Sequence, residues 1–256
     1  MKNKIGIMGV GFVGGALAKC LEEPILYDPP KRLGSVEELN KADIIFICVP
    51  TPYNERGFDA SMLEDAFSVI KGNKIVVIKS TVIPGTTERF QAMYPNLKVL
   101  FNPEFLTEKT ADFDMQRPDR QIIGYTKESY SVAEDIILML PLAPFERIMP
   151  AKEAEMVKYF NNSWFGTKVV FCNQMYDLCK KMGVDYDSIK ECVSADRRIG
   201  KTHLEIWYQK NFRGYSGKCL PKDIKSLLQF AEKIGADLEL LKVVDKINDK
   251  LIKITK

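Results

Sequence analysis

Residues 4–10, Lys-Ile-Gly-Ile-Met-Gly-Val, read as a short buried strand that runs into Gly9-Val10-Gly11-Phe12-Val13-Gly14 and then into a helical stretch from Ala16 to Glu22. Few patterns constrain a chain more. Gly9 permits a tight turn out of the strand, Gly11 lets the backbone approach a phosphate, and Gly14 lets helix and strand pack closely. Phe12 and Val13 lie between them, where a helix N-terminus turns its unpaired N–H groups toward an anion. Ile25-Leu26-Tyr27 reads as the next strand, with Asp28 at its end. A carboxylate there accepts hydrogen bonds from ribose hydroxyls and repels a 2′-phosphate, so NAD is expected rather than NADP.

Four more apolar runs follow, at 43–49, 74–79, 97–101 and 120–124, with a helical spacing at 62–70 between the first two. Strands that alternate with helices and are apolar on both faces point to a parallel sheet covered on both sides. The pattern changes after Pro150. From Lys152 to Met182 there is no proline, and Val157, Phe160, Trp164, Met175, Leu178 and Met182 recur at helical spacing. Such a helix is roughly 45 Å long, and Gly183 is a suitable stop. Residues 185–256 read as shorter helices without strands. The expected architecture is therefore α/β. A Rossmann-type, doubly wound parallel sheet spans residues 1–150, and an all-helical domain with one long central helix spans 151–256. Two domains also suit 256 residues, since domains commonly hold about 100–200.

Composition excludes several classes. The formal net charge is +3, and Lys and Arg are scattered, which argues against nucleic-acid binding. No run approaches the ~18 apolar residues of a membrane span, and the first residues lack the marks of a signal peptide. Of six cysteines none forms a C-x-x-C pair, and His203 is the one histidine. No metal site and no Ser-His-Asp catalysis are expected, and a reduced, cytoplasmic setting is.

The chemistry-bearing segments come in a fixed order. Val49-Pro50-Thr51-Pro52 and Ser80-Thr81-Val82 close two strands, where ligands bind in open α/β sheets. Asn102-Pro103-Glu104-Phe105-Leu106-Thr107-Glu108 follows, then Glu155-Met156-Val157-Lys158 with Asn162, Arg198-Ile199-Gly200, and Gly214-Tyr215-Ser216-Gly217-Lys218-Cys219-Leu220-Pro221-Lys222-Asp223. Together these segments resemble the UDP-glucose/GDP-mannose dehydrogenase family, from residue 4 to about residue 250. The resemblance implies oxidation of the C6 hydroxymethyl of a nucleotide sugar to a carboxylate with two NAD. It implies Cys219, Lys158, Asn162, Asp223, Glu104 and Thr81 as catalytic positions. Cofactor contacts would come from Gly9, Gly11, Phe12, Val13, Gly14, Asp28, Val49, Pro50, Thr51, Thr81 and Glu108. Substrate contacts would come from Glu104, Phe105, Leu106, Lys158, Asn162, Arg198, Gly214, Tyr215 and Gly217. It further implies a homodimer formed through the long helix, and a short form lacking the family's C-terminal nucleotide-sugar-binding domain.

The residue types support this chemistry on their own terms. Taking an alcohol to an acid removes hydride twice, and a covalent carrier retains the aldehyde in between. Cys219, between Lys218 and Lys222 and just ahead of a helix that Pro221 can begin, suits a thiolate nucleophile. The other five cysteines read as small buried residues. Glu155, Lys158 and Asn162 share one helix face at i, i+3 and i+7. Lys158 and Asn162 would stabilise a substrate oxyanion, Asp223 and Glu104 would handle water and its proton, and Glu155 reads as part of an ordinary solvated stripe. His203 reads as structural or as a peripheral contact. Two other readings stay open: a two-electron hydroxy-acid dehydrogenase, which has no use for Cys219, and a silent remnant that binds NAD without turnover.

Overall fold

The computed structural model describes residues 3–208 and 212–254. It divides into two compact units, Met1–Lys158 and Tyr159–Lys256.

The first unit holds β1 (Ile5–Met8), α1 (Phe12–Ala18), β2 (Ile25–Tyr27), α2 (Val36–Leu39), β3 (Ile44–Ile47), the hairpin β4 (Tyr53–Asn54) and β5 (Gly57–Phe58), α3 (Ser61–Ser68), β6 (Ile75–Ile78), α4 (Thr86–Met93), β7 (Lys98–Phe101), α5 (Ala111–Gln116), β8 (Arg120–Tyr125), α6 (Ala133–Met139) and β9 (Phe145–Pro150). Seven strands form one sheet in the order β2-β1-β3-β6-β7-β8-β9. Alternate side chains leave each strand on opposite faces, and both faces are covered. Ile45, Ile47, Val76 and Ile78 meet Leu39, Leu63, Phe67 and Phe90 of α2–α4. Ile44, Phe46, Val77 and Leu100 meet Leu17, Met115 and Ile136 of α1, α5 and α6. The expected doubly wound sheet is present with one amendment: β8 runs antiparallel to β7. The apolar runs identify the strands but carry no sign of their direction.

The helix expected at 16–22 instead begins at Phe12, because the glycine turn itself supplies the first turn. α2, α4, α5 and α6 span only four to eight residues each. So few positions barely show a helical period.

α7 (Ala151–Met182) is the long helix. The division between the two compact units falls inside it, after Lys158. Its first turns belong to the core of the sheet unit. Ala151 and Ala154 are fully buried, and a Cβ on Gly124 of β8 would lie 2.8 Å from the Ala151 Cα.

The second unit continues α7 and adds α8 (Tyr186–Ser194), β10 (Trp207–Tyr208), β11 (Phe212–Arg213), α9 (Leu220–Lys233) and α10 (Glu239–Ile254). The two-residue hairpin β10–β11 is a departure from the all-helical expectation. Cys172, Cys179, Tyr186, Leu204 and Ile206 form one small core. Leu241, Val244 and Leu251 bury the apolar side of α10, which packs on α9 and β11. Cys192 on α8 is exposed, against its expected burial; a four-residue apolar repeat cannot say which face of so short a helix is covered. Among the described residues no helix is long and apolar enough to cross a membrane.

Candidate active site

The glycine turn lies between β1 and α1, where the sheet order reverses from β2-β1 to β1-β3. Ligands bind outside the strand ends at such a point. Gly9 adopts φ +86, and its N–H donates to the Tyr27 carbonyl at 2.9 Å. A Cβ on Gly14 would lie 2.0 Å from the Gly9 carbonyl oxygen, whereas one on Gly11 would meet nothing within 4 Å. The turn is thus closed at its two ends and open in the middle, the shape a pyrophosphate requires. Asp28 is buried and braces it. One carboxylate oxygen accepts from the Val10 N–H at 2.8 Å, the other from the Lys31 N–H at 3.2 Å. Phe12 is 42% exposed and Val13 is half-buried. The neighbouring strand ends are tied together. Ser80 Oγ donates to the Val49 carbonyl and Thr51 Oγ1 to the Thr81 carbonyl, both at 2.6 Å. Pro50 and Glu108 are exposed, and Thr81 is half-buried.

Lys158 and Glu104 form a buried ion pair in the same unit. Lys158 Nζ donates to Glu104 Oε1 at 2.8 Å and to the Glu104 carbonyl at 2.7 Å. The other carboxylate oxygen accepts from the Leu106 N–H at 2.8 Å. Burial pushes the Glu104 carboxyl up, but the Lys158 charge and hydrogen bond, the Leu106 N–H and the charge of Lys79 outweigh it, and its pKa falls below the ordinary range. Phe105 takes the Arg120 guanidinium on its ring at 3.8 Å, with Lys158 Nζ at 5.8 Å from the ring centre.

Three further residues surround this pair, and none of them carries a functional role in the sequence reading. Asn102 is fully buried, with its Nδ2 donating to the Ile122 carbonyl at 2.8 Å. Lys79, also buried, donates to Asn102 Oδ1. Glu155 lies in no solvated stripe: it is fully buried and caps α4 across the chain. Its oxygens accept from the Gly85 N–H at 2.5 Å, the Thr87 N–H at 2.8 Å and Thr87 Oγ1 at 2.6 Å. α4 has no side-chain cap of its own, and a distant carboxylate is invisible to local capping patterns. Burial raises the Glu155 pKa to about 7 against these hydrogen bonds.

In the second unit Asn162 Nδ2 donates to Asp223 Oδ2 at 2.5 Å, and Lys222 pairs with the other oxygen. Asp223 is 1% exposed. Cys219 is the N-cap residue of α9 and is exposed, with Pro221 in the first turn. Of its two flanking lysines, Lys222 is committed to Asp223 and Lys218 is exposed. The preceding loop is held by Asn248, another residue that no sequence motif singles out. Its side chain accepts from the Tyr215 N–H at 2.7 Å and donates to the Tyr215 carbonyl at 3.0 Å. Tyr215 is buried at 2%, with its hydroxyl 3.1 Å from Asp245. Its ring is thus a packing element, and Gly214 passes directly under Asn248. Gly217 is exposed, and Arg198 is exposed and paired with Asp196 at 2.6 Å. His203 stacks on Phe165 at 3.9 Å, and burial lowers its pKa.

The fold and these residues define a dinucleotide-dependent dehydrogenase architecture. Residues 33–138 match the model of the UDP-glucose/GDP-mannose dehydrogenase family, NAD binding domain, and residues 152–250 that of the family's central domain. The chain belongs to this family, and its cofactor is NAD. It is 34% identical over 224 residues to the UDP-glucose 6-dehydrogenase YwqF of Bacillus subtilis, a match covering 82% of this chain and 49% of that protein. It is 31% identical over 298 residues to the UDP-glucose 6-dehydrogenase TuaD of the same organism, covering 97% and 63%. Among solved structures, a UDP-glucose dehydrogenase from the archaeon Pyrobaculum islandicum superposes with a TM-score of 0.83 at 29% identity, covering 98% of this chain and 68% of that one. The chain spans about half the length of the first of these relatives.

Proposed function

We propose that the chain carries the NAD-binding and central units of a nucleotide-sugar 6-dehydrogenase, which takes the C6 hydroxymethyl of a UDP- or GDP-hexose to the uronate. The observation that carries this reading is Cys219, an exposed thiol at the start of α9, four residues before the buried Asn162–Asp223 pair.

NAD bound at the glycine turn supplies a hydride acceptor for each oxidation. Lys158 and Asn162 stabilise negative charge on the C6 oxygen as its proton and hydride leave. Cys219 then adds to the aldehyde as a thiohemiacetal, and loss of a second hydride leaves a thioester on the same sulfur. Asp223 orients the water that hydrolyses it, and Glu104 takes the proton. While it is paired with Lys158, Glu104 is a weak base. Proton transfer to it is therefore coupled to Lys158 turning toward the substrate oxygen. Thr81, Val49, Pro50, Thr51 and Glu108 shape the cofactor pocket, and Phe105, Leu106, Arg198, Gly214 and Gly217 the sugar side. The reading puts the reaction in the cytoplasm.

A panel of UDP- and GDP-sugars with NAD, followed by NADH absorbance, tests the proposal. Two NADH per uronate are expected from a glucose- or mannose-type sugar. NADH formed from a small hydroxy acid, and unaffected by alkylation of Cys219, would favour the two-electron reading; NAD binding without turnover on any substrate would favour the silent one.

The same reading includes a homodimer through α7. Met156, Phe160, Trp164, Phe171, Leu178 and Met182 are between 39% and 68% exposed. At 100° per residue they fall within a stripe about 80° wide. A second copy of this helix would bury it. Sedimentation should give a dimer for the native chain and a monomer for Trp164→Asp; an unchanged dimer would remove α7 from the interface.

A further inference from the structure

Among the described residues of the sheet unit, Lys79 is the one buried amine to which the proposed reaction gives no part. It follows β6 at the carboxyl ends of the strands and is 3% exposed. Its partner is the neutral Asn102 side chain. Among the described residues no carboxylate lies within ion-pair distance of it. Buried cations are ordinarily paired with an anion, so an unpaired one in this place calls for a use. Asn102 opens the segment that carries Glu104 two residues later, and its backbone N–H joins it to the Ile78 carbonyl at 2.8 Å. One side chain thus anchors the Glu104 turn to β6 and β8 at once.

We propose that Lys79 is a positioning residue for the Glu104–Lys158 pair, holding the Glu104 turn through Asn102 and placing a second positive charge behind the carboxylate. This role rests on the reading of that pair as part of the reacting site.

The electrostatics agree with the geometry. Burial lowers the Lys79 pKa to about 8, Lys158 lowers it further, and the charge of Glu104 opposes them. The Cys48 thiol is itself pushed up to about 12 by burial, so at neutral pH it adds no charge to balance the amine. Lys79 therefore loses its proton in mildly alkaline solution, and the field that helps keep Glu104 ionised weakens with it.

The test titrates Glu104 by carbon NMR in the protein without substrate, a readout that stands whether or not any sugar is oxidised. Lys79→Met should raise the Glu104 pKa, and Lys79→Arg, which keeps the charge, should restore it. Should the methionine variant fail to fold, Asn102→Asp sets an anion against the amine and should move Glu104 in the same direction. On the active enzyme Lys79→Met should lower kcat about 10- to 100-fold, leave the KM for NAD within about twofold, and abolish the alkaline step near pH 8. A Glu104 titration unmoved by both Lys79→Met and Asn102→Asp would overturn the proposal. A shifted titration in a protein without sugar turnover would keep the positioning role and count against the dehydrogenase reading instead.

Discussion

Cys219→Ser is expected to stop uronate formation, lowering its rate by at least about 10³-fold, while NAD affinity stays as in the native chain. The serine hydroxyl is a far weaker nucleophile at neutral pH, and no thioester can form on it. The glycine turn belongs to the other unit and does not depend on position 219. Any NADH that remains should reach at most one per sugar, with the sugar recovered at the aldehyde level. The measurement is a paired assay of NADH and uronate, with NAD binding followed by calorimetry. Full uronate yield from the serine variant would remove the covalent step and leave the second oxidation to the hydrated aldehyde.

Lys158→Met is expected to be the most destabilising single change in the site. Lys158 and Glu104 side chains are 5% and 9% exposed, and removing the cation leaves a buried carboxylate with the Leu106 N–H as its remaining hydrogen bond and only the charge of Lys79 to offset burial. Breaking a buried pair from one side costs about 3–5 kcal/mol, readable as a fall in the urea midpoint. The effect depends on pH. In the native chain the folded-state pKa of Glu104 is depressed, so the pair's contribution is present above the ordinary carboxylate range and is lost as the pH falls through the folded value. In the variant, burial without the cation raises that pKa, and stability declines as the pH rises through it. The gap between the two proteins should therefore be widest at neutral pH and close in acid. Lys158→Met with Glu104→Gln should recover most of the loss, because both charges are then gone. A gap that stays constant from pH 3 to 7 would mean that the ion pair is not what holds this site.

Most of the sheet could be read from the sequence because its strands are near-continuous apolar runs ended by Pro50, Ser80 and Asn102. The glycine turn was equally legible, since the spacing of Gly9, Gly11 and Gly14 has few other uses. What escaped was set by contacts between distant parts of the chain. The antiparallel sense of β8 depends on how the 102–119 connection, with α5 inside it, returns to the sheet. Glu155 looks solvated in a helical projection and is buried only because α4 lies across the start of α7 in the folded sheet unit. Lys79 looks like the end of a strand, and its pairing with the neutral Asn102 side chain emerges only in the folded sheet unit. Asn248, which fixes the cysteine loop from 33 residues away, leaves no local trace at all. The resemblance to the family reached the residues proposed to react, but it did not reach Lys79, Asn102, Glu155 and Asn248, which pack around them.

The sharpest test is mass spectrometry of the native protein, quenched during turnover with NAD and a UDP- or GDP-hexose. The peptide bearing Cys219 should carry the sugar, its thiol should be shielded from alkylation in proportion, and neither should occur without NAD. NADH accumulating while that thiol stays fully alkylatable and unmodified would contradict a covalent role for Cys219.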